Sequence, residues 1–559
     1  MSNLNVIVRA AAVVAASAVP ALAQWSTNPA VNNRVSFGPG HEYDQRLAPA
    51  PGGGVWVGWF ESVAAPINFE LRVQRYDDKG YEQFPTGGIV VSDLNNDTAL
   101  FNWSMTSDTQ GNCYLAFSDR RNGNGTLDVS VQKVTPAGGT PWGTDGINLC
   151  DTPDFEAAPA VTIASNGDCI VSWARDPSSG FNDLRLQRLT PEGASLYAFG
   201  GLVVPNTGAS NSPGFVRAIP SAGGDVILVW LRNIQTFSSP RHIWAQRFDV
   251  AGNALWNATV PTIVLAQAVP IGYFPEVLED GSGGAVIGWH RAAGVPNVVG
   301  VQRLLADGTL GFPAAVNGIS PSTDATRYRY SPSISYNPAT AEITVLFDER
   351  NSSQSDRGVY GNRIDAAGNL IWGNEGKVIV PLSQANSTSR IRHRNTSDNG
   401  VVCAYFQTDS FGSPNNWIRA QRLDSNGNAV WTPAARYVCS VLSAKDDPEI
   451  LSAPDVTVPL KGPTFDATII AWTDARNGTN DAYAQRINND GSLGGPVPPV
   501  PCYGDADGSG VVDFSDITTV LGNWYDTGAP YIPGDADGSG RVDFGDITAV
   551  LAQFGFVCP

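Results

Sequence analysis

Apolar and polar residues alternate with a period of two along most of this chain. Ala285, Ile287 and Trp289 fall on one side of such a stretch, as do Val226, Leu228 and Trp230. Successive side chains of a strand leave opposite faces, so this period predicts half-buried β-strands. Strand-like segments ending in an aromatic recur at Val55–Trp59, Tyr114–Phe117, Ile170–Trp173, Val226–Trp230, Ala285–Trp289 and Thr468–Trp472. A second type of segment follows each unit's aromatic strand: Val73-Gln74-Arg75, Val131-Gln132-Lys133, Leu186-Gln187-Arg188, Ala245-Gln246-Arg247, Val301-Gln302-Arg303, Gly361-Asn362-Arg363, Ala420-Gln421-Arg422 and Ala484-Gln485-Arg486. These are eight copies, spaced 55 to 64 residues apart.

Around this pair lie two further predicted strands. A Pro-led apolar one precedes it, as in Pro159–Ile163 and Pro332–Ile334. One opened by Trp follows it, as in Trp142–Leu149, Trp256–Leu265, Trp372–Val380 and Trp431–Val438. Gly-containing turns, such as Asp249 to Gly252 and Asp424 to Gly427, connect the last two. Four short strands per unit and no helical periodicity predict an all-β fold: an eight-bladed β-propeller over residues 24–495. An open β array or two smaller propellers remain the alternatives. The eighth unit stops after its third strand, while residues 25–35 read as a fourth. Borrowing that segment would close the ring and remove an open sheet edge.

The repeat resembles those of secreted bacterial β-propeller proteins with a Trp-x-Asp-x-Arg … Ala-Gln-Arg-Leu-Asp pattern. The resemblance covers residues 25–493 and implies architecture, not activity. A polar doublet repeated in nearly every unit serves the unit itself. The expected partners of its arginine are the Asp-x-Arg-Asn runs at Asp119, Asp348 and Asp474, through bidentate pairs.

Beyond a Pro-rich spacer at 496–501 the pattern changes. Gly504–Leu521 and Gly534–Leu551 match at 15 of 18 positions with an offset of 30. Each holds oxygen-bearing residues at the alternating positions of a calcium loop. The first set is Asp505, Asp507, Ser509, the carbonyl of Val511, Asp513 and Asp516. The second is Asp535, Asp537, Ser539, the carbonyl of Arg541, Asp543 and Asp546. Helical spacing follows, placing Ile517, Val520, Leu521 and Trp524 on one face and Ile547, Val550, Leu551 and Phe554 on another. This pair resembles a type I dockerin over residues 502–558. The resemblance implies two calcium ions, metal-dependent folding, and docking to a cohesin-type scaffold or cell-surface protein, often in polysaccharide-degrading systems. It also implies that the module's ends lie together, with Cys502 and Cys558 joined as a disulfide.

Residues 1–23 read as a secretory signal: Arg9, a short apolar run, and Ala21-Leu22-Ala23 before Gln24. The predicted location is therefore extracellular or on a bacterial cell surface, with no membrane span in the mature chain. Seven cysteines remain after cleavage. Export permits disulfides, although an odd number cannot all pair within one chain. The chain lacks a Cys-x-x-Cys pair, a His-Glu-x-x-His motif, a Gly-x-Ser-x-Gly elbow and the sialidase-type Ser-x-Asp box. Of the four histidines, His290 reads as a surface or turn residue at a strand end.

The 559 residues carry a net charge of −18, which argues against a nucleic-acid partner. Residues 501–559 hold nine Asp and one Arg, so much of that charge sits in the proposed loops. The sequence thus predicts a secreted calcium-binding protein whose dockerin-like module tethers a propeller that binds a glycan or protein. The alternative is a dockerin-borne carbohydrate-active enzyme, an O-glycosyl hydrolase or polysaccharide lyase, with its site in the propeller channel. A purely structural surface protein is a third reading. An Arg–Tyr–His cluster or convergent carboxylates at one channel mouth would favour the enzyme. Residues 62–70, 233–242 and 407–416 are the expected rim loops.

Overall fold

The computed structural model describes residues 24–556 apart from 65–67, 95–102, 124, 178–181, 205–212, 234–240, 258–260, 271–272, 293–295, 453–466, 496–502, 508, 510 and 529–531. The predicted signal segment 1–23, the Pro-rich stretch 496–501, Cys502 and Cys558 lie outside the described residues. The other five cysteines are buried free thiols.

The chain is nearly all β, built of small antiparallel sheets in a propeller-like arrangement. Among the described residues five sheets have four strands, one has three, and one has seven. In the seven-stranded sheet the 17-residue strand Arg436–Ser452 does two jobs. Its first half pairs with Asn415–Leu423 and its second with Ala467–Asp474, so it ends one repeat and begins the next. The aromatic-ended segments form the second strand of their repeats, flanked by a strand on either side. Trp59, Trp173, Trp230, Trp289 and Trp472 are accordingly buried.

The first strands pack against one another in sequence. They are Glu42–Ala50, Ser104–Ser107, Phe155–Ile163, Pro213–Pro220, Glu276–Glu279, Tyr328–Asn337, Thr388–Asn395 and the second half of Arg436–Ser452. The last of them returns to lie against Glu42–Ala50. Side chains stitch neighbours together. Ser104 Oγ accepts the Val161 amide at 3.2 Å, Glu276 Oε2 the Ile334 amide at 2.9 Å, and Ser333 Oγ the His393 amide at 3.0 Å. The chain ends meet as the sequence predicted. Strand Asn33–Arg34 pairs with Asp481–Asn488, with Asn33 opposite Ala484.

The Trp residues expected to open fourth strands lie just before them instead. The strands begin at Ile147, Thr262, Lys377 and Arg436. The rings are used between sheets: the indole N–H groups of Trp256, Trp372 and Trp431 donate to the carbonyls of Ala306, Ser425 and Asn489 at 2.8–2.9 Å. These acceptors lie in the next repeat's Gly-containing turn.

The Gln-Arg doublet is structural, but its partners differ from those expected. Gln Oε1 accepts the amide of the residue that follows it at 2.9–3.0 Å in five repeats. Its Nε2 donates into the turn beyond, as from Gln132 to Gly143 at 2.7 Å. The arginine pairs with an acid just before the second strand: Arg188 with Asp168, Arg247 with Asp225, and Arg303 with Asp280, at 2.7–2.9 Å. It does not reach the Asp-x-Arg runs, because antiparallel pairing sets the doublet opposite the start of the second strand and those runs lie at its end. There Asp119 and Asp474 bind their own neighbours, Arg121 and Arg476, at 2.7 and 2.6 Å.

Among the described residues two α-helices follow the sheets: α1 (Phe514–Gly522) and α2 (Phe544–Gln553). Each starts with a capping box, Asp513 with Asp516 and Asp543 with Asp546. The halves interlock reciprocally: the Gly504 amide donates to Ala536 O at 2.9 Å, and the Gly534 amide to Ala506 O at 3.0 Å. Val512, Val520, Val542, Val550 and Ala549 form the shared core. Leu521, Leu551 and Phe554 were expected on the buried face but are exposed. Each helix has only about three turns, so its partner covers a narrow stripe.

Candidate functional site

The predicted metal ligands are brought together in two matching clusters. Ligand atoms of Asp505, Asp507 and Asp516 lie within 4.8 Å of one another, as do those of Asp535, Asp537 and Asp546. Backbone amides hold the carboxylates in place. Asp516 accepts from the amides of Asp507 at 3.0 Å and Asp513 at 2.8 Å, and Asp546 repeats this with Asp537 and Asp543. Burial, together with the charge of Asp507, raises the pKa of Asp516. Burial likewise raises Asp546, beside Asp537 and Asp535. Crowded, partly buried carboxylates of this kind suit a hard cation, whose charge would offset the repulsion. Ser509 and Ser539 instead donate their hydroxyls to the carbonyls of Val511 and Arg541, both at 3.1 Å. Asp513 and Asp543 cap the helices, accepting from the amides of Ser515 and Gly545 at 2.7 and 2.8 Å. The clusters are thus able to hold a metal ion.

The interior of the β region is charged. Arg46, Arg217, Glu276, Arg392 and Glu449 follow the bulges or openings of five first strands and converge. Arg46 pairs with Glu449 at 2.9 Å and Arg394 approaches Glu276 at 3.6 Å. Burial, with repulsion from Arg46, pushes Arg217 down to about 10. Toward one end of the sheets, a cavity of about 550 Å³ is lined by Asp108, Lys133, Ser165, Glu279 and Ser282.

The opposite end carries the chemistry that the sequence concealed. There the first strands begin and the second strands finish. His290, at the end of Ala285–Arg291, is only 3% exposed, not a surface residue. It sits between two tyrosines, with ring centroids 3.9 Å from Tyr273 and 5.4 Å from Tyr330. Tyr273 is 40% exposed. Arg350 stacks on Tyr330 at 4.1 Å, and Tyr328 lies parallel to Tyr330 at 6.4 Å. Arg357 is 5.0 Å from the Phe411 ring, on the expected rim loop 407–416. Of the other rim loops, 62–70 brings Glu70 to Arg72 at 2.8 Å, and most of 233–242 lies outside the described residues.

Burial, aided by the charge of Arg350, pushes His290 down to about 4, so the imidazole is neutral near pH 7. Its Nε2 is buried without a hydrogen-bond partner, as are the Nε atoms of Arg291, Arg350 and Arg357. Burial raises the nearby Asp348 to about 7, partly opposed by Arg350. An acidic protein thus concentrates unspent cationic donors, aromatic rings and a neutral imidazole at one mouth. Such a mouth can bind an anion against aromatic surface and move a proton beside it. No motif announces it, because its members come from two neighbouring sheets and the loop before Glu276.

No protein-family model and no curated protein matches the chain. Among solved structures it is similar to an ulvan lyase from a new polysaccharide lyase family, with 12% identity over 71% of this chain and 97% of that one, TM-score 0.41. It is also similar to a Penicillium chrysogenum alpha-L-arabinanase complexed with arabinobiose: 12% identity, 60% and 94% coverage, TM-score 0.30. Prolyl oligopeptidase B from Galerina marginata gives 10% identity, 78% and 56% coverage, and TM-score 0.41. Likeness at these scores bears on neither substrate nor reaction.

Proposed function

We propose that this is an extracellular protein whose β region, an eight-bladed propeller spanning 24–495, acts on an acidic polysaccharide by β-elimination. A calcium-loaded dockerin-like module at 502–559 tethers it. The observation that carries the reading is the Tyr273–His290–Tyr330–Arg350 cluster. Elimination from a uronate needs a cation on the carboxylate, a base for the adjacent carbon-bound proton, and an acid for the leaving oxygen. Arg350 and Arg357 supply the charge. Tyr273, the solvent-facing ring, loses its own proton to solvent and as phenolate takes the carbon-bound proton, while neutral His290 packs edge-on behind it and fixes the ring. The electron pair of the broken C–H bond forms the ring double bond, the glycosidic C–O bond breaks, and the proton returns to the leaving oxygen. Two calcium ions held by the Asp505 and Asp535 clusters would supply the charge that orders the C-terminal loops. Exposed Phe514, Leu521, Phe544 and Leu551 support docking of that module on a cohesin-type partner.

The test is to incubate the full chain with polyuronates and sulfated glycans, following the ultraviolet absorbance of the new conjugated double bond. Tyr273→Phe and His290→Gln should lose at least about a hundredfold in rate. No product from any anionic glycan overturns elimination. Non-catalytic binding is the second reading, favoured by the burial of His290 Nε2. Saturable binding without product would establish it.

A further inference from the structure

A third group of metal-ligand side chains lies away from both sites. Asp128 opens strand Asp128–Val134, Cys150 follows Ile147–Asn148, and Glu156 lies in the first strand of the next sheet. All three are buried, and one ligand atom from each lies within 4.8 Å of the others. They join two successive sheets at a seam with no access to solvent.

The surroundings treat these groups as ligands. The Val129 amide donates to Cys150 Sγ at 3.1 Å, while burial and the charge of Glu156 hold the thiol protonated when no cation lies between them. Asn122 Nδ2 donates to Asp128 Oδ2 at 2.9 Å and also binds the Cys150 carbonyl at 3.2 Å. Trp173 Nε1 approaches Glu156 Oε1 at 3.4 Å. Glu156 Oε2 is buried with no partner other than the Cys150 thiol beside it, in a residue only 1% exposed. Two other repeats place a base at the position of Glu156: Arg329 meets Glu349 at 3.0 Å, and Lys445 meets Asp474 at 3.4 Å. Here that position holds Glu156, whose cross-strand neighbour Arg175 pairs with Asp154 and Asp183 instead, at 3.3 and 2.6 Å, and the groups across the seam are a carboxylate and a thiol. Two further buried oxygens without partners, Ser130 Oγ and Asn148 Oδ1, lie across from each other in register nearby.

We propose that Asp128, Cys150 and Glu156 bind one zinc-class divalent cation that pins the second sheet to the third. A thiolate with two carboxylates matches zinc better than calcium, which takes oxygen ligands only. Contraction of the three donors around one ion at about 2.0–2.3 Å leaves a fourth position. The site is independent of the Tyr273–His290 mouth and of the Asp505 and Asp535 loops.

The test uses the full chain, expressed with zinc and washed with a calcium-selective chelator. One zinc per chain should remain, falling about tenfold or more in Cys150→Ser and in Glu156→Gln. Protein refolded in cobalt should show a thiolate-to-cobalt charge-transfer band that Cys150→Ser abolishes. Zinc at trace level in the folded wild type overturns the proposal, as does a cobalt band that persists without Cys150. The first result would leave Cys150 a protonated thiol against Glu156. Should Cys150→Ser fail to fold, Glu156→Gln decides: undiminished zinc in it overturns the site.

Discussion

The indole of Trp25 lies on Gly80, so closely that a β-carbon there would stand 2.6 Å from Trp25 Cγ. The same fit recurs where Trp256 meets Gly308, Trp372 meets Gly427 and Trp431 meets Gly491, at 2.6–2.9 Å to the nearest ring atom. Trp25 thus fills, from the chain's beginning, the place that the eighth repeat leaves vacant. Asn32 Nδ2 reinforces the join by donating to Gln485 Oε1 at 3.0 Å.

Gly427→Ala should therefore be costly. The residue has φ 77°, a backbone region disfavoured for alanine, and its new methyl would strike Trp372. A loss of about 2–4 kcal/mol is expected in urea unfolding. Gly373→Ala is the control: it has a positive φ but nothing within 4 Å, and should lose about 1–2 kcal/mol from backbone strain alone. Equal losses would show that the ring contact contributes nothing.

Arg188 is a buried cation bound to Asp168 at 2.9 Å and to the Gly224 carbonyl at 2.7 Å, the latter in the next sheet's turn. Arg188→Ala should cost about 3–5 kcal/mol because Asp168 is left without its counter-charge. Pairing it with Asp168→Asn should recover part of that loss. A double-mutant cycle on thermal unfolding measures this, and strict additivity would disprove the coupling.

Glu42 sits at the join between the last and first sheets, fully buried, with only the Ser36 hydroxyl beside its carboxylate. Burial raises it from 4.5 to about 8, with Asp481 and Glu61 adding repulsion. The folded state therefore binds a proton that the unfolded state releases near 4.5. This contribution to stability is fully present below about 4.5 and is lost as the pH climbs through about 8. Glu42→Gln should flatten the decline across that window and stabilise the protein most at alkaline pH. An unchanged pH profile of the melting temperature would count against this account.

Calcium removal should melt the C-terminal helices and spare the sheets. Asp516→Ala should abolish the helical gain on adding calcium, since both Asp516 oxygens also hold loop amides. Asp526→Ala, outside the cluster, should leave it intact. Circular dichroism and limited proteolysis with and without chelator decide the matter.

Much of the fold was legible because it repeats. A period-two pattern copied eight times shows strand order within a unit, and the missing fourth strand of the eighth unit shows how the first and last sheets meet. The paired Asp loops were legible for a similar reason: a metal loop is local, and its donors sit at fixed offsets along the backbone. Partners across strands were not legible. The doublet's Arg363 was expected to reach the run at Asp348 and instead took Glu342, at the start of the second strand, at 3.5 Å, a choice made by antiparallel register.

The chain's order of residues alone determined its strand repeat, the exchange of its first strand into the last sheet, and the convergence of the Asp505 and Asp535 clusters. Each follows from short-range periodicity or spacing. Only the tertiary structure decided that His290 is buried between Tyr273 and Tyr330 under Arg350, and that Asp128, Cys150 and Glu156 share one seam. Those groups come from separate strands and sheets. Their meeting depends on how sheets pack around the centre, which no local pattern encodes.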